Sequence, residues 1–146
     1  MIDRKHLGRE SKPNSVDIEK GRLKFFAKSI GETNPIYIDE AAAKAAGYRS
    51  LPAPPTFLFS IDLEQDNPFA DIESMGINLG KILHAEQGFT YHEPICAGDT
   101  ITLQSKVTDI YDKKGGALEF LVQEYTAKNQ DDTLVAEMRR TLVVRN

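Results

Sequence analysis

At Lys81 the apolar residues change their spacing, and that change constrains the fold more than any other feature of the sequence. Upstream, residues 17–64 place apolar side chains three and four positions apart between short polar loops, the pattern of helices. Downstream, residues 80–145 alternate with a period of two, the pattern of strands with one covered face. Leu83, Ala85, Gln87, Phe89 and Tyr91 share one face of a first strand, which Pro94 ends. Ile101, Leu103, Ser105 and Val107 share a face of a second, after the Ala97-Gly98-Asp99 turn. The KKGG run at 113–116 is a hairpin signal. Leu118, Phe120 and Val122 continue on one face, and NQDD at 129–132 turns the chain into TLVAEMRRTLVV. An antiparallel meander of at least four long strands is expected.

Three helices precede this sheet. Leu23, Phe26, Ala27 and Ile30 line one helical face, so a helix from about Glu19 to Ile30 is predicted, with Gly31 as its stop. Asp39 as N-cap, Glu40 in the first turn, the run AAAKAA and Gly47 predict a second. A third begins at Pro55 or Thr56, where proline is tolerated because the N–H it lacks would have no intrahelical partner. Phe57, Leu58 and Ile61 make that helix apolar enough to be buried. Residues 65–79, with Pro68, Gly76 and several acids, read as a loop or short turns. A buried helix followed by an antiparallel sheet defines the α+β class.

At 146 residues the chain accommodates one domain, residues 1–146, able to fold without disulfides or metal. Its 18 basic and 22 acidic side chains leave a formal charge of −4, which argues against a nucleic-acid binder, whose phosphate contacts need a basic stripe. Cys96 is the only cysteine, so no internal disulfide forms and a reducing, cytoplasmic location is expected. The opening residues MIDRKHLGRE have no apolar core, so no secretory signal is expected. No apolar run reaches the ~18 residues that a membrane helix requires.

Three places carry groups capable of chemistry. The loop GETNPIY at 31–37 holds Glu32, Asn34 and Tyr37 between two helices, and Pro35 keeps Asn34 out of the helical region. On loop chemistry alone the plainer reading is a helix–helix connector, in which Asn-Pro merely sets a turn. The helix start near Thr56 offers amides to a carbonyl oxygen or anion, as every helix start does. His84 and Glu86, two apart on a strand, are expected on one face, either as an acid/base pair or as part of a solvated surface. His92 has the same parity but stands about 26 Å further along a straight strand. No metal-ligand spacing, glycine-rich phosphate loop or GxSxG motif is present, and neither metal nor cofactor is expected.

The segment GETNPIYIDEAAAKAAGYRSLPAPPTF resembles the MaoC-like (R)-specific hydratase/dehydratase family, whose motif runs G-D-x-N-P-x-H before an Ala-rich helix and a Pro-rich approach to a central helix. The block HAEQGFTYHEPICAGDTI and the helix ending FFAKSIG are similar to the N-terminal dehydratase domain of that family. The resemblance spans nearly the whole chain from about Ile18. It implies a hotdog fold, a long central helix wrapped by an antiparallel sheet, and a lyase of fatty-acid metabolism. The implied reaction is hydration of trans-2-enoyl thioesters to (3R)-hydroxyacyl thioesters, or the reverse. The implied ligands are acyl-CoA or an acyl-carrier-protein thioester.

In that family the Asp and His of the motif activate water, while amides at the central helix hold the thioester oxygen. Here Glu32 stands for the Asp and Tyr37 for the His, while Asn34 and Pro35 are retained. Tyrosine, with a reference pKa near 10, does not readily accept a proton at neutral pH. Pro55 occupies the usual position of a glycine whose N–H serves the oxyanion, so that role passes to Thr56 or a neighbour. By resemblance Glu32, Tyr37, His84 and Glu86 are the catalytic candidates, and Asn34, Pro35, Pro55, Thr56 and Phe57 are the substrate-side candidates. Two versions stand: an active enzyme, or a non-catalytic acyl-binding subunit paired with a catalytic hotdog. A hotdog acyl-CoA thioesterase is the third alternative. Sites in this family form where two hotdogs meet, so a homodimer or a heterodimer is expected.

Overall fold

A computed structural model describes all 146 residues. The elements run β1 (Asn14–Asp17), α1 (Lys20–Ser29), α2 (Glu40–Ala45), α3 (Phe57–Asp62), α4 (Ala70–Ser74), β2 (Ile82–Tyr91), β3 (Thr100–Lys113), β4 (Leu118–Lys128) and β5 (Leu134–Arg145). The predicted helices form where their caps stand. Gly31 and Gly47 take left-handed backbone at φ 72° and 96°, and the Asp39 side chain accepts the Ala41 amide.

The five strands form one antiparallel sheet in the order β1-β3-β4-β5-β2. Only β3, β4 and β5 are a true meander, so the expected four-strand meander is corrected. The connection through Pro94 and Gly98 crosses the sheet, carrying the chain from β2 at one edge to β3 beside β1 at the other. Lys114, Gly115 and Gly116 all have positive φ, which closes the predicted hairpin. Residues Leu121, Gln123, Tyr125 and Ala127 form the covered face of β4, while Leu118, Phe120 and Val122 point to the other side.

The helix that lies on the sheet, α3, has six residues, and the long central helix implied by the resemblance is not formed. The reason is local. Leu63 and Glu64 donate to Ser60 and Ile61, tightening the last turn, and Gln65 Nε2 donates to the Asp62 carbonyl. Asn67 then caps a new turn before Pro68, and α4 starts afresh at Ala70. No helix is long and apolar enough to cross a membrane.

Two apolar clusters cover the inner face of the sheet. The larger gathers Leu23, Ala43, Leu51, Phe57, Leu58 and Ile61 from the helical half against Ile101, Leu103, Tyr125 and Met138. The smaller packs Ile72, Met75 and Ile77 against Val107, Ile110, Leu121, Leu142 and Val144. Between them runs a polar row across the strands, in which Gln123 of β4 lies opposite Arg140 of β5, and Arg140 opposite Gln87 of β2.

Candidate functional site

The 31–37 loop is built by its own side chains. Glu32 donates its amide to Ala27, closing α1, and its Oε1 accepts the amides of Thr33 and Asn34, each at 2.8 Å. Asn34 Oδ1 accepts the Ile36 amide at 3.2 Å and starts the 3-10 turn Pro35–Tyr37. Asn34 and Pro35 thus shape the loop, and one carboxylate oxygen of Glu32 is committed to it.

Tyr37 is half-buried at the end of this turn. Withdrawal from water raises its phenol above the ordinary value, and neighbouring Tyr48 and Glu32 add to the rise. Tyr91, at the end of β2, stands beside it. The Tyr91 hydroxyl donates to the Pro55 carbonyl, and burial, with Tyr37 nearby, pushes that phenol up to about 12. Tyr91 therefore ties the edge strand to the start of α3. Pro55 and Thr56 are exposed there, whereas Phe57 is turned into the core at 2% exposure, edge-on to Phe26. The Phe57 amide donates to Pro54, which leaves the amides of Thr56 and Leu58 without a protein acceptor.

His84 and Glu86 do not share a face. In the register of β2 against β5, His84 pairs with Leu142 and Glu86 with the very next residue back, Thr141, leaving Ala85 as the extra residue of a bulge. His84 consequently faces the helices, stacked 5.2 Å from Phe59 and bonded to Gln87 at 3.1 Å. Glu86 faces outward, accepting from the Thr141 hydroxyl at 3.2 Å beside Arg139. Along β2, His84 lies about 20 Å from Tyr91. The structure thus brings Glu32 and Tyr37 together and keeps His84 and Glu86 away from them. His92 pairs with Glu137, and no group of three His, Cys, Asp or Glu side chains could hold a metal ion.

A buried polar network joins α3 to the sheet. Arg140 Nη1 donates to Asp62 Oδ2 at 3.0 Å, its Nη2 donates to Gln123 Oε1 at 2.8 Å, and the Tyr125 hydroxyl donates to Asp62 at 3.2 Å. Burial raises the Asp62 carboxyl above its ordinary range, against the pull of Arg140 and Tyr125. It raises the Tyr125 phenol too. None of these residues was singled out from the sequence, although an arginine alternating with Met138 and Leu142 on a core-facing parity was a visible sign.

A buried helix packed on one face of a five-stranded antiparallel sheet is the hotdog arrangement, its central helix cut short in this chain, and solved structures agree. The chain superposes on a chain of the HadBC (3R)-hydroxyacyl-ACP dehydratase complex of Mycobacterium tuberculosis with a TM-score of 0.79, 24% identity, and 94% and 96% of the two chains covered. It superposes on a chain of the ChsH1-ChsH2 complex of the same organism with a TM-score of 0.75, 25% identity, and 93% and 84% covered. Residues 5–138 match the family described as FAS1-like, dehydratase domain region, and the chain belongs to that family. This meets the MaoC-like relationship expected from residues 31–57. Among its relatives are UPF0336 proteins of Parafrankia sp., 34% identical over 99% of this chain and 95% of the relative, and of Saccharopolyspora erythraea, 30% identical over 99% and 92%.

Proposed function

We propose that the chain is the acyl-binding half of a two-hotdog hydratase/dehydratase, acting on trans-2-enoyl or (3R)-hydroxyacyl thioesters whose chemistry is completed by a partner subunit. The observation that carries this reading is the state of the 31–37 loop. Tyr37 holds its proton more tightly than a free phenol, and Glu32 has one oxygen turned back onto its own loop. Hydration needs a group that takes a proton from water and another that gives one to the α-carbon. A phenol that retains its proton meets the second need and not the first. His84, stacked on Phe59 at the other end of β2, is too far along the strand to supply the base.

The edge strand supports the partner. β2 pairs with β5 alone, so its outer edge is unpaired over ten residues, and His84 on its inner face is exposed beside a short α3. Such an edge is a template for another strand, and a second hotdog would cover both surfaces. That HadBC and ChsH1-ChsH2 are described as complexes supports a heteromeric arrangement.

The test is loss of enoyl absorbance with crotonyl-CoA and with a longer enoyl-CoA. The purified chain alone is expected to give no turnover, and a second hotdog carrying the Asp and His of the family motif is expected to restore it. Turnover by the chain alone, abolished by Glu32→Gln, overturns the reading in favour of an autonomous hydratase. Release of free thiol from a saturated acyl-CoA would make the protein a thioesterase.

A further inference from the structure

The outer face of the sheet, turned away from the helices, is crossed near the β3–β4 hairpin by an apolar row. Tyr111 of β3 lies opposite Phe120 of β4, Phe120 opposite Val143 of β5, and Val143 opposite Leu83 of β2. The Tyr111 and Phe120 rings stack with centroids 4.8 Å apart. Leu83 is 48% exposed, and the other three are half-buried. The solvated face of an antiparallel sheet is ordinarily polar. Four apolar side chains in one row across four strands mark a face that meets another surface.

The charges on either side of the row say which surface that is. Toward the hairpin the next row is Lys113, Leu118 and Arg145, and away from it Asp109, Val122, Thr141 and Glu86. Lys113 and Arg145 have no acidic side chain at ion-pair distance, and Asp109 has no basic one. Glu86 has only Arg139, at 3.8 Å. Basic, apolar and acidic rows in that order are complementary to themselves. A second copy, turned over about a twofold axis along the apolar row, sets apolar on apolar and each basic row over the other copy's acidic row. Lys113 of one copy then falls over Asp109 of the other, and Arg145 over Thr141, one strand from Glu86. Within one chain Lys113 and Asp109 stand about 13 Å apart along β3 and do not pair.

We propose that two copies of this chain associate back to back through this outer face; the inference stands apart from the acyl-binding reading. The helix side and the unpaired backbone edge of β2 stay free, so each copy can still take a different hotdog there. Four strands about 4.8 Å apart and three rows about 7 Å apart span roughly 400 Å² per copy. That is below the ~800 Å² each partner gives to a standard interface, so the dimer is a weak one. Sedimentation velocity of the full chain, from about 1 μM to about 1 mM, tests it. The wild type is expected to pass from monomer to dimer as concentration rises. Lys113→Glu and Asp109→Lys each set like charges together twice about the axis, and each is expected to weaken association about tenfold or more. Both positions are exposed, and circular dichroism verifies that the variants are folded. Combining the two reversals is expected to restore wild-type association, which only contact between copies explains. A wild type that stays monomeric throughout overturns the inference. So does a dimer indifferent to the single reversals, which would place self-association at the β2 edge, and so does a combined variant that regains nothing.

Discussion

His84 and Glu86, two residues apart in β2, face opposite sides of the sheet because Ala85 is the extra residue of a bulge. The bulge sets the inner face as Ile82, His84, Gln87, Phe89 and Tyr91, with the parity switching at its middle. Deleting Ala85 would leave His84 opposite Leu142 and Glu86 opposite Thr141, so every side chain keeps its face. Such a deletion is expected to cost about 1 kcal/mol or less, whereas deleting Gly88 shifts the register by one and should cost several times more. Urea denaturation of the two deletion variants distinguishes them, and equal losses would refute the assignment of Ala85.

What the sequence made legible follows from which forces are local. The change of period at Lys81, the caps at Asp39 and Gly47 and the KKGG turn act within a few residues, and all appear as read. The bulge was hidden because Leu83 and Ala85 are themselves apolar and imitate an inward face. The place of β2 beside β5 depends on a crossing connection that periodicity does not encode. At the site, Pro35 and Gly31 marked the loop, and Asn34 proved to act as its cap. Tyr91 was missed because its importance arises only when the end of β2 meets Pro55 in three dimensions.

The Asp62–Arg140 pair makes a sharp prediction about stability. Both side chains are buried, so truncating either one strands a charge. Asp62→Ala and Arg140→Ala are each expected to cost about 3–5 kcal/mol, while Asp62→Leu combined with Arg140→Met should cost far less than their sum. A double-mutant cycle by urea denaturation checks this, and additive losses would show that the pair is not coupled.

Acid stability should depend on Asp99. Burial opposes its ionisation, but hydrogen bonds from Arg49, the Cys96 amide and Gln130 outweigh burial and hold the carboxyl below its ordinary value. Glu40 is lowered to about 2 by hydrogen bonds from Lys20 and Lys44. Groups whose folded value is depressed contribute stability at neutral pH and lose it as pH falls from about 4 through the depressed value. Asp62 has the opposite sign, since its raised value makes stability fall as pH rises above the ordinary carboxylate range. Between about pH 4 and pH 2 the Asp99→Asn variant is therefore expected to lose stability less steeply than the wild type. Denaturant titrations across that range read the slope directly, and parallel curves would contradict the assignment.

If the proposed reading holds, exchanging Tyr37 and Glu32 is the test of whether this hotdog can be made catalytic. The two already lie close enough for the carboxylate to affect the phenol, and the Thr56 and Leu58 amides beside Pro55 have no protein acceptor. On the proposed reading the missing element is a proton acceptor of suitable strength. Replacing Glu32 with Asp and Tyr37 with His supplies it at the same positions. General acid–base catalysis contributes about 10²–10⁴-fold, so the Glu32→Asp/Tyr37→His variant is expected to hydrate crotonyl-CoA, which the parent chain alone is expected not to do. Tyr37→Phe removes the phenol without adding a base and, on the proposed reading that apolar burial holds the acyl chain, should leave acyl-CoA affinity unchanged within about twofold. Activity gained by the double variant and absent from both single replacements would place the deficit in the dyad. A double variant that binds acyl-CoA normally and still does nothing would place it in the surfaces that only a second hotdog can complete.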